Sequence, residues 1–267
     1  MSRYVRFRSG SGPAWGVVEG DTVREIRGGL LDGGAETGKT HKLSGLTLLS
    51  PCEPSKIVAV GRNYRSHLGP NRPHPQNPEI FYKPTSSLQD PDGPIVIPPE
   101  ATDVHYEGEL VLVIGKRVKD VSGTAALAAI FGATCGNDVS ERNWQHGERK
   151  DVQWWRAKGS DTFSPVGPAV VTGLNYDNLL VETRLNGEVV QKERTADFIF
   201  DCATMVGWIS RYVTLIPGDL IFTGTPAGVG FARTPPLFLH GGSEFEVRIE
   251  GIGSLRNRYF DEPASTL

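Results

Sequence analysis

Three carboxylates in the middle of the chain have the spacing and the surroundings of a metal site. Glu107 and Glu109 flank a glycine directly before the apolar run Leu110–Ile114. Alternate residues of a strand point to the same face, so we expect both carboxylates on one face with Cα atoms about 7 Å apart. Asp138 follows a second apolar segment, Ala128–Cys135, in a Gly-Asn-Asp turn. These side chains predict an oxygen-only site at the mouth of a buried strand.

The residue types of this site favour a hard divalent ion. Carboxylates that are buried beside each other repel unless a cation lies between them. Oxygen ligands without histidine or cysteine are typical of Mg²⁺ or Mn²⁺, with Ca²⁺ as an alternative. A lone Glu-x-Glu pair is more often the solvated face of an edge strand. The apolar run after the pair, and Gly108 between the acids, which permits close backbone approach, favour the metal site.

The composition describes a globular, β-rich protein. Of the 267 residues, 38% are hydrophobic, which is enough for a substantial core. The 32 glycines and 19 prolines indicate many turns. The net charge of −3 provides no general attraction to nucleic acid or anionic lipid, so we expect neither partner. No apolar stretch of about 18 residues is present, so we expect no membrane span.

The cysteines and the N-terminus predict a reduced, cytoplasmic protein. The three cysteines are odd in number and scattered, which does not suit a disulfide framework or a zinc site. The first eight residues, MSRYVRFR, contain none of the apolar core of a secretory signal. We therefore expect the protein to remain in the cytoplasm.

Strand and turn patterns divide the chain into two predicted domains and favour an α+β, mainly β fold. Residues 1–52 read as a small β-rich N-terminal domain, because short alternating segments are separated by polar turns. Prolines in Ser50–Pro54 mark the predicted linker, and we expect residues 53–267 to form the second, larger domain. Within it, Asn186-Gly187 predicts a tight hairpin, and Asp201–Val213 has the periodicity of an amphipathic helix.

Several short motifs, taken together, resemble the fumarylacetoacetate hydrolase superfamily, over about residues 56–260. The similarity is to the bacterial branch with acylpyruvate hydrolases, oxaloacetate decarboxylases and 2-hydroxyhepta-2,4-diene-1,7-dioate isomerases. In chain order, the motifs are Gly61-Arg62-Asn63-Tyr64 with His67, Phe81-Tyr82-Lys83-Pro84, Glu107-x-Glu109, Gly136-Asn137-Asp138 with Arg142 and Gln145, Lys158 with Asp161-Thr162-Phe163, and Thr223-Gly224-Thr225-Pro226.

The resemblance implies a mixed β-roll catalytic domain, usually in a homodimer, with Mg²⁺ or Mn²⁺ on Glu107, Glu109 and Asp138. It implies that His67 and Lys158 are catalytic. The substrate would be a 2-oxo or dicarboxylic acid or a 2-hydroxydienoate, converted through a stabilised enolate in aromatic-compound catabolism. The substrate-binding residues that it implies are Arg62, Tyr64, Lys83, Arg142, Gln145 and Thr225.

Two departures from the family pattern refine this expectation. Fumarylacetoacetases proper carry an additional aspartate ligand before the tyrosine, where this chain has Gly61-Arg62-Asn63. Many members of the branch place a glutamate three residues after the histidine, where this chain has Pro70. Hydrolysis needs a base that activates water, whereas decarboxylation and tautomerisation need the stabilised enolate. Unless Glu79 or another acid reaches His67, isomerase or decarboxylase activity is favoured over hydrolysis of a C–C bond.

Two other functions fit the same residues. A sugar-acid lyase or dehydratase on this scaffold would need a polyhydroxylated substrate. A non-catalytic protein would bind the metal and a 2-oxo acid without turnover. Assays on a panel of substrates, with and without a chelator, distinguish the three functions.

Overall fold

The computed structural model describes residues 1–31 and 33–263. Strands account for 41% of the chain and helices for 16%, which confirms the prediction of an α+β, mainly β fold. None of the described helices is both long and apolar enough to cross a membrane.

Nineteen strands, five α-helices and four single-turn 3-10 helices make up the regular structure of the described residues. The strands are β1 Arg3–Ser9, β2 Gly12–Glu19, β3 Thr22–Ile26, β4 Glu36–Lys42, β5 Leu48–Leu49, β6 Ile57–Gly61, β7 Glu79–Lys83, β8 Leu88–Gln89, β9 Pro94–Ile97, β10 Val104–His105, β11 Gly108–Ile114, β12 Ile130–Asn137, β13 Ser140–Glu141, β14 Ser164–Val171, β15 Leu180–Leu185, β16 Glu188–Arg194, β17 Leu220–Phe222, β18 Glu244–Ile249 and β19 Gly253–Asp261. The helices are α1 Arg65–Leu68, α2 Gly123–Leu127, α3 Arg142–His146, α4 Trp155–Gly159 and α5 Cys202–Tyr212.

A twelve-stranded mixed sheet forms the larger part of the molecule. Its order is β4-β3-β2-β1-β14-β12-β11-β17-β6-β7, with β5 and β8 attached at β1 and β14. Every residue of β11 is buried, as its apolar sequence predicts for a central strand. Strands from the first fifty residues join the same sheet through the antiparallel pairing of β1 with β14.

A five-stranded sheet of order β16-β15-β18-β19-β9 packs on the larger sheet. The predicted hairpin joins β15 to β16, with Asn186 and Gly187 at φ values of 51° and 88°. The main hydrophobic core contains Leu110 and Leu112 of β11, Val181 of β15 and Met205 of α5. The periodic segment predicted as a helix is α5, which buries its apolar face there.

The pairing registers bring the ends of several strands to one edge of the larger sheet. Gly108 at the start of β11 pairs with Asn137 at the end of β12. Val111 pairs with Phe222, which ends β17, and Phe222 pairs in parallel with Ala59 of β6. The loops that follow β6, β12 and β17 therefore meet the start of β11, where the predicted site residues are concentrated.

Candidate metal centre and active site

The three predicted carboxylates converge at this edge. The Asp138 amide donates to the carbonyl of Glu107 at 2.8 Å, which holds the turn after β12 against the start of β11. One oxygen each of Glu107, Glu109 and Asp138 lies within 4.8 Å of the others, and all three side chains are buried. These residues could hold one divalent ion between them.

Glu109 provides the test of whether an ion fits. Its Oε2 accepts a hydrogen bond from the Gly224 amide at 2.7 Å, but no lysine or arginine of the described chain forms an ion pair with it. Burial, followed by the charges of Asp138 and Glu107, raises the pKa of Glu109 well above its usual value. A shared divalent cation would offset this repulsion, and a purely oxygen donor set suits Mg²⁺ or Mn²⁺.

Lys158 places a buried ammonium group beside the three carboxylates. Its Nζ donates to Glu107 Oε2 and to Asp138 Oδ2, each at 2.7 Å. Burial opposes the charged form, but Asp138 and Glu107 outweigh it and raise the pKa of Lys158. The side chain therefore carries a proton and a positive charge at neutral pH, beside two of the three candidate metal ligands.

Lys83 lies behind this pair instead of facing open space. Its Nζ donates to Asp138 Oδ1 at 2.5 Å and to the carbonyl of Lys158, and its side chain is completely buried. Burial lowers the pKa of Lys83, although Asp138 opposes the shift. The predicted substrate-binding lysine is thus placed to support a carboxylate and helix α4.

Arg142 and Gln145 reach the site from α3. Arg142 donates from one guanidinium nitrogen to Glu107 Oε1 at 2.6 Å and from the other to Gln145 Oε1 at 2.5 Å. Burial raises the pKa of Glu107, but Lys158 and Arg142 outweigh it and hold the pKa below its usual value. Glu107 is therefore a paired carboxylate, in contrast to Glu109.

The loop after β17 forms the rim beside the carboxylates. The Thr225 hydroxyl hydrogen-bonds to the Gly108 carbonyl at 3.0 Å and to Gln191 Nε2 at 2.8 Å. Gly224 has a φ of 95°, and a Cβ there would lie 2.9 Å from the Cβ of Asn63, so only glycine fits this close approach.

His67 has no carboxylate partner in the described part of the chain. Its Nδ1 lies 3.4 Å from the carbonyl of Pro226, and this is its hydrogen-bond contact. Burial lowers the pKa of His67, although Glu107 opposes the shift. Glu79 does not reach the histidine, because it forms a two-bond ion pair with Arg62, with Nε to Oε2 at 2.5 Å.

The other two predicted substrate-binding residues differ in their access to solvent. The Arg62 side chain is 52% exposed and is occupied by Glu79. Tyr64 is fully buried, its ring packs edge-on against Phe198, and its hydroxyl has no hydrogen-bond partner among the described residues. Burial, and then the charge of Glu109, raises the pKa of Tyr64, so its hydroxyl keeps its proton at neutral pH.

Three buried polar side chains at the site were not predicted as site residues. Asn63 donates to the Thr223 carbonyl at 2.9 Å, and Gln191 contacts Thr225. His105 Nε2 lies 3.9 Å from Glu107 Oε1 and forms no hydrogen bond within residues 1–31 and 33–263. Their positions could have indicated them, because each is a polar residue in a strand or turn where an apolar residue would otherwise be buried.

Sequence profiles of known families match almost the whole chain. The profile described as fumarylacetoacetate (FAA) hydrolase C-terminal matches residues 56–259. A second profile, described as Rv2993c-like, N-terminal, matches residues 2–51.

Individual relatives are similar over most of their length. Protein Rv2993c of Mycobacterium tuberculosis is 43% identical, over 96% of this chain and 97% of the relative. The oxaloacetate tautomerase FAHD2A, mitochondrial, of Bos taurus is 44% identical, over 80% of this chain and 70% of the relative. The crystal structure of 2-hydroxyhepta-2,4-diene-1,7-dioate isomerase from Mycobacterium marinum has a TM-score of 0.88 and 41% identity, over 99% of this chain and 100% of that one.

Proposed function

This chain belongs to the fumarylacetoacetate hydrolase family, and on that premise we propose that it is a divalent-metal-dependent tautomerase. In this proposal it interconverts the enol and keto forms of a 2-oxo acid, with oxaloacetate as the first candidate. The names of two relatives, an oxaloacetate tautomerase and a dienoate isomerase, support this class of reaction.

The observation that carries the choice of reaction is the isolation of His67. A histidine that activates water needs a hydrogen-bonded carboxylate to raise its basicity and fix its tautomer. Pro70 stands at the position of the family's glutamate, and Glu79 is held by Arg62. His67 is therefore a poor base for hydrolysis, whereas tautomerisation depends on stabilising an enolate oxygen.

The charged side chains at the site provide that stabilisation in our proposal. Lys158 is protonated and donates a hydrogen bond to the substrate oxygen on which negative charge develops. Arg142 holds Glu107 in place and adds a second positive charge beside the substrate. A divalent ion held by Glu107, Glu109 and Asp138 would supply a Lewis acid that polarises the substrate carbonyl.

A comparison of three reactions tests the proposal. We expect conversion of enol-oxaloacetate to its keto form to be faster than cleavage of acetylpyruvate and than decarboxylation of oxaloacetate. His67→Ala should reduce tautomerisation by far less than the factor of about 10²–10⁴ typical of a lost general base. Stopped-flow absorbance of the enol, in the presence of Mg²⁺ or Mn²⁺, measures the first rate directly.

Glu79→Gln is the matched control, since it removes the acid that the sequence suggested as an alternative partner of His67, without touching the carboxylate site. It should leave the ratio of tautomerisation to hydrolysis unchanged, because Glu79 pairs with Arg62. Efficient hydrolysis of acetylpyruvate that collapses in His67→Ala would contradict the proposal, because the histidine would then have acquired a partner.

We also propose Mg²⁺ or Mn²⁺ as the ion and a homodimer as the assembly, and a domain division at residue 52. Light scattering after size exclusion measures the mass of the assembly. Expression of residues 53–267 without the first 52 residues, followed by thermal unfolding, tests the division, because an independent domain would unfold cooperatively on its own.

A further inference from the structure

We propose that Gln191 is a positioning residue that holds the peptide between the two glutamate ligands and fixes the hydrogen-bonding direction of the Thr225 hydroxyl. This inference rests on the proposed function in one respect, which is that Glu107 and Glu109 bind an ion. Gln191 lies in β16 of the smaller sheet, 83 residues from Gly108 along the chain.

An irregularity in the strand aims Gln191 at the site. In the β15–β16 ladder, Thr183 pairs with Gln191 and Arg184 pairs with Val189, so Val190 is an extra, unpaired residue. Val190 and Gln191 are consequently both buried, whereas a regular strand would turn alternate residues outward. Arg233 stabilises the bulge by donating to the Val190 carbonyl at 2.7 Å.

The buried amide of Gln191 uses all four of its hydrogen-bonding positions. Oε1 accepts from the Gly108 amide at 3.0 Å and from the Thr183 hydroxyl at 3.2 Å. Nε2 donates to Thr225 Oγ1 at 2.8 Å and to the Pro226 carbonyl at 3.0 Å. This orientation of the amide is the one that chemistry allows, because a backbone N–H only donates and a carbonyl only accepts.

The first consequence concerns the metal ligands. The N–H of Gly108 is held by Gln191, and its carbonyl is held by Thr225, so the residue between Glu107 and Glu109 is fixed on both sides. A Cβ on Gly108 would lie 2.1 Å from Thr183 Cγ2, so β15 packs directly against this backbone and only glycine fits there. The separation of the two carboxylates therefore depends on these hydrogen bonds.

The second consequence concerns the rim. Because Gln191 must donate to Thr225 Oγ1, the hydrogen of that hydroxyl is directed to the Gly108 carbonyl. The Thr225 hydroxyl can then only accept a hydrogen bond from a ligand and cannot donate one. It favours a group that carries a hydrogen, such as the hydroxyl of an enol, over a carboxylate or enolate oxygen.

The third consequence concerns His67. The Pro226 carbonyl, which Gln191 holds, also lies 3.4 Å from His67 Nδ1. A carbonyl requires a donor, so Nδ1 carries the hydrogen and the lone pair lies on Nε2. One side chain thus connects a ligand peptide, a rim hydroxyl and the histidine.

Binding measurements on matched variants test the inference without relying on turnover. Gln191→Met keeps the length of the side chain and removes its hydrogen bonds. We expect the Kd for Mn²⁺, measured by calorimetry, to rise by about 10–100-fold, as for other lost supports of metal ligands. Thr183→Val is the control: it removes one hydrogen bond to the same amide at an equally buried position, and it should leave the Kd near the wild-type value.

Thr225→Val provides a second variant in case Gln191→Met does not fold. It leaves the Gly108 carbonyl without this hydrogen bond, so it should also weaken Mn²⁺ binding. The proposal is overturned if Gln191→Met binds Mn²⁺ as tightly as Thr183→Val does or, where Gln191→Met does not fold, if Thr225→Val binds Mn²⁺ as tightly as the wild type. Normal Mn²⁺ binding by a wild-type protein that fails to tautomerise would contradict the proposed function alone.

Discussion

Glu109→Gln should abolish binding of the divalent ion, and with it turnover, while it increases the thermal stability of the chelated protein. The variant removes one of three ligand carboxylates, and the neutral amide is a much weaker ligand for a hard cation. Without an ion, however, Glu109 is the carboxylate of the site that pairs with no lysine or arginine among the described residues. Burial, and then the charges of Asp138 and Glu107, oppose its ionisation. Loss of that charge removes a repulsion from the folded state.

Thermal unfolding with EDTA and with Mn²⁺ measures both effects. The wild-type protein should gain about 2.7 kcal/mol when Mn²⁺ is present at 100 times its Kd, whereas the variant should gain nothing. The pH dependence has a defined sign. The pKa of Glu109 in the folded protein is raised above 4.5, so chelated wild-type protein loses stability as the pH rises through that raised pKa. The advantage of the variant should therefore grow from pH 4.5 upward.

Glu246→Gln is the matched control for Glu109→Gln. Glu246 is also buried, but its carboxylate is paired with Arg248 at 2.7 Å and with Arg256 at 3.1 Å. The same chemical change should decrease stability there and leave Mn²⁺ binding unaltered. A Glu109→Gln protein that binds Mn²⁺ like the wild type, or that is less stable than it under EDTA, would show that Glu109 is not a ligand of this kind.

Local sequence was sufficient to predict the parts of the molecule that depend on neighbours along the chain. The apolar run after Glu109 predicted the buried strand β11, and Asn186-Gly187 predicted the β15–β16 hairpin. The proximity of Glu107 to Glu109 followed from the period of a strand. The convergence of Asp138 with Glu107 and Glu109 also required β12 to lie antiparallel beside β11. A site shared by the three acidic residues was consistent with that pairing.

The remainder of the site depends on contacts that no local pattern encodes. Lys83 contacts Asp138 across 55 residues of sequence, so its position at the end of a strand gave no indication that it would be buried. Gln191 reaches the site because of a bulge whose position depends on the pairing of two strands. Such side chains become recognisable once the fold provides their neighbours, since burial then demands a partner for every polar atom.

Loss of the Lys158 ammonium should have the second large effect. Lys158→Met should lower kcat for tautomerisation by about 10²–10³-fold, which is the range for a lost electrostatic donor to a developing oxyanion. The methionine side chain is neutral and similar in length to that of lysine, so the substitution should preserve the shape of the site. Steady-state rates at saturating Mn²⁺ separate kcat from KM. The loss should appear in kcat, because the proposed hydrogen bond from Lys158 strengthens as negative charge develops on the substrate.

Lys83→Met distinguishes this role from a purely structural one. Both lysines are buried beside Asp138, and removing either leaves a carboxylate oxygen without its cation, so each variant should lose about 3–5 kcal/mol of stability in EDTA. Lys83 does not face the substrate in our proposal, so its loss should reduce kcat far less than the loss of Lys158. If Lys158→Met instead raised KM and left kcat unchanged, Lys158 would bind the substrate equally in the ground and transition states. The stabilisation of the enolate would then have to come from Arg142 and the ion.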